Sequence, residues 1–302
     1  MLGGFYVEVI VKGLKKCYED HTVLDNINME FKKPGIYLIA GPNGSGKTTL
    51  LEIIIGLRKQ TEGEVCIGNH HPDSLESKRS LGFLSQQNSL RKSCYVNEEM
   101  ELVAEIFELK CIDIKEYLEK YDLAQYYHQR IRKLSGGTKR RLLLAMTFLP
   151  QQDIILLDEP VSGLDSFSRN EIWNMITEVA QDKIIILSDH YLNQAAQYSD
   201  YVYLLDEGRI VLQGGLKQVI SSLKKTHVLK VRKGKHSEIE NRLKSLGFEI
   251  DLKVSGTVYS YYFNDNNNTS VSSIGVGDFK ISNIDFEDIY FYYTGKYIHE
   301  RS

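Results

Sequence analysis

The sequence predicts an α/β fold built on a doubly wound, mostly parallel sheet, and three observations carry that prediction. "GIYLIAG" (35–41), "DIILLDEP" (153–160) and "DKIIILSDH" (182–190) are short continuous apolar runs, the pattern of strands covered on both faces. Helical patterns, "GKTTLLEIIIGL", "FSRNEIWNMITEVAQ" and "YLNQAAQYSD", take turns with them, as crossover connections in a parallel sheet require. A length of 302 residues is enough for one large domain and a smaller one.

The elements follow in order. "FYVEVIV" (5–11) and "EVCIG" (64–68) alternate and are rich in β-branched and aromatic residues, so they read as half-exposed strands. From about Asn88 to Pro150 the alternation of strand and helix stops. "NEEMELVAEIFEL" and "DIKEYLEKYDLAQYY" are helical patterns and no strand is evident, which predicts a helical subdomain inserted between two core strands. After "LLDEGRIVLQGG" the composition shifts again, dividing the chain into domains 1–222 and 223–302. The second is predicted as a small α+β unit, with strands at "VLKVR", "FEIDLKV" and "TVYSYYF" and helices at "SEIENRLKSL" and "DFEDIYFYYTG". In the last helix Phe286, Ile289, Tyr290 and Tyr293 have the spacing of one packed face. "NDNNNTS" (264–270) reads as a polar surface loop.

Composition narrows the function classes. A formal charge of −3, from 37 basic and 40 acidic residues, gives no overall attraction to nucleic acid or anionic lipid, and no nucleic-acid partner is expected. The basic run "KKTHVLKVRKGK" (224–235) reads as a solvated linker face, with acidic lipid or RNA as the alternative. Four scattered cysteines without a C-x-x-C pair argue against a zinc site or a disulfide framework, and favour a reducing compartment. The N-terminus lacks the pattern of a signal peptide, because Glu8 interrupts its apolar stretch. No run approaches the roughly 20 apolar residues that cross a bilayer. His70 and His71, just before Pro72, read as a turn and not as a metal site.

Chemistry begins at "GPNGSGKTT". Gly41 to Thr48 fits G-x-x-x-x-G-K-[ST] between an apolar strand and a helix, the context in which that spacing cradles phosphate. Glycines turn backbone N–H groups inward and the helix N-terminus adds partial positive charge. Gly41, Asn43, Gly44, Gly46, Lys47, Thr48 and Thr49 are the predicted nucleotide contacts, with Lys47 on the β- and γ-phosphates and Thr48 on Mg²⁺. Asp158 leaves a strand at its carboxyl end, where open α/β sheets bind ligands, and is a second candidate Mg²⁺ ligand. Glu159 follows it as a candidate general base. A second anion site is predicted at "KLSGGTKRRLLLA" (133–145), where a Ser-Gly-Gly turn opens a helix. "SDH" (188–190) is no hydrolase triad, since consecutive residues of an extended chain point to opposite faces.

Taken together, residues 5 to 215 resemble the ATP-binding subunits of ABC transporters. "LSGG" (134–137) looks like the family signature, "LGFLSQ" (81–86) like its Q-loop strand, and "SGLD" (162–165) like its D-loop. The resemblance implies a P-loop NTPase core with an N-terminal antiparallel β subdomain, the helical insertion and the α+β tail. It implies ATP and Mg²⁺ as ligands and ATP hydrolysis coupled to transport. Gln86 becomes a sensor of γ-phosphate and Mg²⁺, with Gln87 one position out of register, and His190 becomes the switch histidine. Ser135, Gly136, Gly137 and Asp165 become contacts to a nucleotide held by a partner. Tyr18, 23 residues before Gly41, fits the aromatic that stacks on adenine, its alternative being a half-buried core ring.

Two positions depart from the pattern. Thr138 stands where the signature usually has Gln, and Ser85 where Pro is frequent. Because the chain has one phosphate loop and one signature helix, the resemblance implies two half-sites and a head-to-tail pair with a second copy or a homologous subunit. "NIDFEDIYFYYTG" (283–295) is similar to the ends of ABC-2 exporter subunits, which implies a separate integral membrane permease, a peptide or drug-like cargo, and a peripheral place on the cytoplasmic face of the membrane. The competing expectation is an ABC ATPase acting on a ribosome or nucleic-acid complex. Such relatives usually carry two ATP-binding domains or a long coiled-coil insertion, and the sequence has neither.

Overall fold

The computed structural model describes residues 7–87, 89–264 and 281–296. Asn88, the predicted start of the helical insertion, and residues 265–270 of the predicted polar loop lie outside the described residues.

The chain opens with β1 (Val9–Tyr18), β2 (His21–Phe31) and β3 (Gly35–Ala40), then α1 (Lys47–Ile54), β4 (Glu62–Ile67), α2 (Leu75–Ser80) and β5 (Leu81–Leu84). β2, β1 and β4 form a three-stranded antiparallel sheet in that order. The inserted region supplies α3 (Val96–Ile106), α4 (Ile114–Glu119) and α5 (Gly136–Phe148). β6 (Ile154–Asp158), α6 (Ser166–Val179), β7 (Ile184–Asp189), α7 (Leu192–Tyr198), β8 (Tyr201–Asp206), β9 (Arg209–Gly214) and α8 (Leu216–Ser222) complete the core.

The central six-stranded sheet has the order β5-β6-β7-β3-β8-β9. β5, β6, β7, β3 and β8 are parallel to their neighbours, whereas β9 closes the edge antiparallel to β8. Asp206 to Arg209 turn tightly through Glu207 and Gly208, both at positive φ, so the chain returns along the edge without a crossover helix. Every residue of β6 and β7 is buried, as their continuous apolar runs required.

One face of this sheet packs on the antiparallel sheet through Val9, Leu24, Phe31, Ile39, Leu50 and Tyr203. The other carries the helices, centred on Trp173, which is fully buried and stacked on Tyr198 at 4.8 Å and 3°. Truncating an aromatic of that size leaves a cavity. Trp173→Ala is expected to cost about 3–5 kcal/mol, measured as a lower midpoint in reversible chemical denaturation.

The insertion contains shorter helices than its sequence suggests. Asp113 caps α4 by accepting from the Lys115 and Glu116 amides at 2.9 and 3.0 Å. The helix ends at Glu119, Asp122 takes φ 53°, and a 3₁₀ turn follows at Ala124–Tyr126. One continuous helix over 113–127 is therefore corrected to two pieces, because a left-handed residue stops the α-helical ladder.

Beyond α8, β10 (His227–Arg232), α9 (His236–Ser245), β11 (Asp251–Ser255), β12 (Val258–Phe263), β13 (Ile281–Asn283) and α10 (Phe286–Thr294) build an antiparallel sheet of order β11-β12-β10-β13 with two helices. Its apolar cluster of Leu229, Val231, Ile239, Leu243, Tyr261 and Phe263 faces α9. On α10 Phe286, Ile289, Tyr290 and Phe291 are buried. Tyr293 is exposed instead, its hydroxyl 3.2 Å from that of Ser222. Asn193 on α7 ties the start of α10 to the core: its amide donates to Asp285 at 3.0 Å and its carbonyl accepts the Glu287 N–H at 3.1 Å.

Candidate functional site

Sheet register assembles the site. Ala40, the last residue of β3, lies opposite Asp189 at the end of β7, and Asp158, the last of β6, lies opposite Ser188. The loop 41–46 and the side chains of residues 158–159 and 188–190 thus meet at the carboxyl ends of adjacent parallel strands, where such sheets leave a crevice.

The loop itself is shaped by glycine. Gly44 and Gly46 adopt φ 81° and 104°, a region L side chains avoid. A Cβ on Gly41 would stand 2.3 Å from the Leu205 carbonyl oxygen, so the close passage of loop and β8 excludes any side chain there. Asn43 is exposed and Thr49 half-buried. Lys47 is only 6% exposed, and its ammonium donates to the carbonyls of Gly41 and Pro42 at 2.9 and 3.0 Å. Burial lowers its pKa, while the charges of Glu159, Asp158 and Asp189 act against that shift. A buried cation hydrogen-bonded only to neutral carbonyls suits an anion. The Ser45 hydroxyl beside it is buried without a hydrogen-bond partner, a second group that fits a phosphate.

Thr48 donates its hydroxyl to Asp158 Oδ2 at 2.8 Å, and Ser188 donates to Asp158 Oδ1 at 2.5 Å. Hydroxyl and carboxylate oxygens are the donors Mg²⁺ prefers, so this pair fits that ion. Gln86 is placed elsewhere: its amide nitrogen donates to Glu159 Oε2 at 3.0 Å. His190 Nδ1 approaches the same oxygen at 3.5 Å. Glu159 is therefore the meeting point of both residues that the resemblance assigns to phosphate sensing. Its hydrogen bond and charge raise the His190 pKa, and His190 in turn lowers that of Glu159.

The second cradle lies outside this cluster. Ser135 caps α5, its hydroxyl accepting the Thr138 N–H at 3.1 Å and sharing a hydrogen with the Thr138 hydroxyl at 2.8 Å. Ser135 and Gly136 are exposed, while a Cβ on Gly137 would meet the Ser168 hydroxyl at 2.5 Å, so that glycine is needed for packing. Asp165 caps α6, accepting from the amides of Phe167 and Ser168 at 3.0 Å each and from the Ser168 hydroxyl. Tyr18 stands at the end of β1 with 38% of its surface exposed, Lys16 lying 4.7 Å from its ring centre. His71 pairs with Asp73 at 2.7 Å, and among the described residues no group of three or more His, Cys, Asp or Glu could hold a metal ion.

Sequence reasoning missed Ser188 and Arg140. Ser188 was detectable as the polar residue interrupting "IIIL" before "DH". Arg140, whose guanidinium donates to the Pro160 and Glu159 carbonyls at 2.6 and 2.9 Å, had no such signal, because these contacts are long-range and to backbone.

Comparison with known proteins identifies the family. The family description "ABC transporter" matches residues 24–162. The chain is 30% identical over 222 residues to the Nod factor export ATP-binding protein I of Ralstonia nicotianae, covering 70% of this chain and 68% of that protein. It is 32% identical over 211 residues to the human ATP-binding cassette sub-family A member 13, of which it spans only 4%. Among solved structures, the dimeric ATP-binding cassette MJ0796 in a post-hydrolysis state with ADP and Pi superposes with a TM-score of 0.61 at 28% identity, covering 69% of this chain and 98% of that one. The chain belongs to the ABC transporter family and carries its ATP-hydrolysing nucleotide-binding fold.

Proposed function

We propose that the chain is the ATPase subunit of an exporter, driving a peptide or drug-like cargo through a separate membrane permease from the cytoplasmic face. The observation that carries the ATPase part of this reading is the placement of Glu159 between Gln86 and His190, one residue beyond the Thr48–Asp158 pair. Two such chains face head to tail. Lys47 and the loop amides hold the triphosphate of one site, and Ser135, Gly136 and Gly137 of the other chain cover its γ-phosphate. Mg²⁺ held by Thr48 and Asp158 would neutralise charge on the β- and γ-phosphates, and Gln86, which donates to Glu159 in this structure, would join them only on leaving that contact. Glu159 takes a proton from water as its oxygen bonds to the γ-phosphorus; the bond to the bridging oxygen breaks and ADP leaves with that electron pair. His190, whose pKa the Glu159 hydrogen bond and charge raise, holds a γ-phosphate oxygen, and Asp165 lies along the facing surfaces.

The exporter reading draws on the α10 sequence and on the similarity to a protein named for Nod factor export. No helix among the described residues is long and apolar enough to cross a membrane, and the reading places the cargo path in another subunit. Affinity capture of the native complex tests this: an integral membrane partner supports it, and recovery with ribosomes or nucleic acid in its place overturns it.

Stacking of Tyr18 on adenine gives a smaller prediction. Tyr18→Ala is expected to weaken ATP binding by about 1 kcal/mol, the lower end of base–aromatic stacking, while Tyr18→Phe binds as tightly as the parent. Fluorescence titration with a nucleotide analogue measures both.

A further inference from the structure

The backbone that carries Glu159 is held from two sides. Glu159 adopts φ 48°, in the left-handed region that residues other than glycine occupy uncommonly. On the amide side its N–H donates to the Ser188 carbonyl and hydroxyl, both at 3.1 Å. On the carbonyl side stands Arg140. Its Nη2 donates to the Glu159 carbonyl at 2.9 Å and reaches that of Asp158 at 3.4 Å, and its Nε donates to the Pro160 carbonyl at 2.6 Å.

One planar guanidinium therefore caps three successive carbonyls where the chain turns out of β6. The Glu159 carbonyl also accepts the Ser162 N–H at 3.2 Å, so Arg140 is its second donor and the one that ties it to α5. The fork geometry of arginine can serve all three at once, which a lysine ammonium at the same place could not.

What makes this arrangement informative is where Arg140 comes from. It lies five residues beyond Ser135 on α5, the helix whose exposed N-terminus forms the second cradle. Its neighbour Arg141 turns away and pairs with Glu171 at 3.1 Å. A rigid helix and one side chain thus run from the turn that faces a partner's nucleotide to the backbone of the chain's own general base.

We infer that Arg140 is a positioning residue that couples the two half-sites of one chain, holding Glu159 in its left-handed bend only while the signature helix is seated. This rests on the reading of Glu159 and Ser135 given above. Engagement of Ser135 with a partner's γ-phosphate fixes α5, α5 fixes Arg140, and Arg140 fixes the carboxylate against its own nucleotide. Release of α5 leaves the Glu159 carbonyl with the Ser162 N–H alone and lets the carboxylate drift from water and from His190.

The test uses the full chain with Arg140→Ala and Arg140→Lys, and Arg141→Ala as a control on the same helix. Displacing a reacting group by about 1 Å costs up to about 10²-fold. Arg140→Ala is expected to lower kcat by about 10- to 100-fold with KM for ATP within about threefold of the parent. Arg140→Lys, which keeps charge and helix propensity, is expected to recover only part of that loss. The His190 imidazole, followed by NMR, should titrate at lower pH in Arg140→Ala because Glu159 no longer faces it. Arg141→Ala should leave that titration unchanged.

Parental kcat in Arg140→Lys and Arg140→Ala overturns the inference, as does a kcat loss shared equally by Arg141→Ala with no change at His190. If Glu159→Gln retains parental turnover, the underlying assignment of the base fails instead. If Glu159→Gln is inactive while Arg140→Ala turns over like the parent, only the coupling role falls.

Discussion

Glu159→Gln is expected to lower steady-state ATP turnover by about 10²–10⁴-fold, the usual range for removing a general base, while nucleotide affinity stays near that of the parent. The amide keeps the size and the hydrogen-bonding reach of the carboxylate but cannot accept a proton from water. Lys47, Thr48 and Asp158 are untouched, so binding should survive. A chain that binds ATP and cannot cleave it should also accumulate as a long-lived pair, visible by size-exclusion chromatography with ATP. Undiminished hydrolysis would remove Glu159 from the mechanism.

The same substitution has a signature in pH. Glu159 raises the His190 pKa and is itself lowered by His190, so the pair gives full stabilisation between the unfolded values of about 4.3 and 6.5. Above that window the contribution fades as pH rises through the raised His190 value. Below it, the contribution is lost as pH falls through the lowered Glu159 value. In Glu159→Gln the His190 midpoint should fall, and the difference in unfolding free energy between variant and parent should be largest inside the window. A His190 midpoint unaffected by the substitution would mean that the two side chains do not interact in solution.

Ser135→Phe is the second large effect. Ser135 touches none of the residues grouped around Lys47 and Glu159, so its loss cannot act on the nucleotide bound by the same chain through direct contact. A phenyl ring at an exposed turn blocks the approach of a partner's triphosphate and removes a hydroxyl donor. Loss of one such donor to a transferring group costs about 10²–10³-fold. Turnover should fall by that amount while the affinity of an isolated chain for ATP is kept. The substitution also removes the α5 cap, worth about 1 kcal/mol, so Ser135→Ala serves as the comparison for stability. Equal losses of turnover and of binding would show that Ser135 acts within its own chain.

The sheet core was legible because burial on both faces leaves no polar alternation, and "IILLD" and "IIILSD" could not be half-exposed strands. The phosphate loop was legible because glycine spacing and a following helix are both local properties. Elements whose form depends on one backbone residue were harder: Asp122 divides a helical pattern that composition favoured throughout, and β9 runs antiparallel because a two-residue turn leaves no room for a crossover. On α10 the spacing selected Tyr293 where the structure buries Phe291, since the packed face is set by contacts with α7 and α8. The least legible residue was Arg140, whose partners are main-chain carbonyls about twenty positions away, with no side-chain identity to betray them.

The Ser135–Thr138 hydroxyl pair has a consequence for how the signature turn is armed. Ser135 Oγ already accepts one amide, and each hydroxyl carries a single hydrogen. When that of Ser135 points to Thr138, the serine oxygen offers an incoming oxyanion only lone pairs, leaving the helix N-terminal amides as the donors. When Thr138 donates inward, the serine hydrogen is released outward toward the phosphate. Switching between these needs rotation about two C–O bonds and no displacement of heavy atoms, so a short threonine can ready the turn far faster than any helix moves.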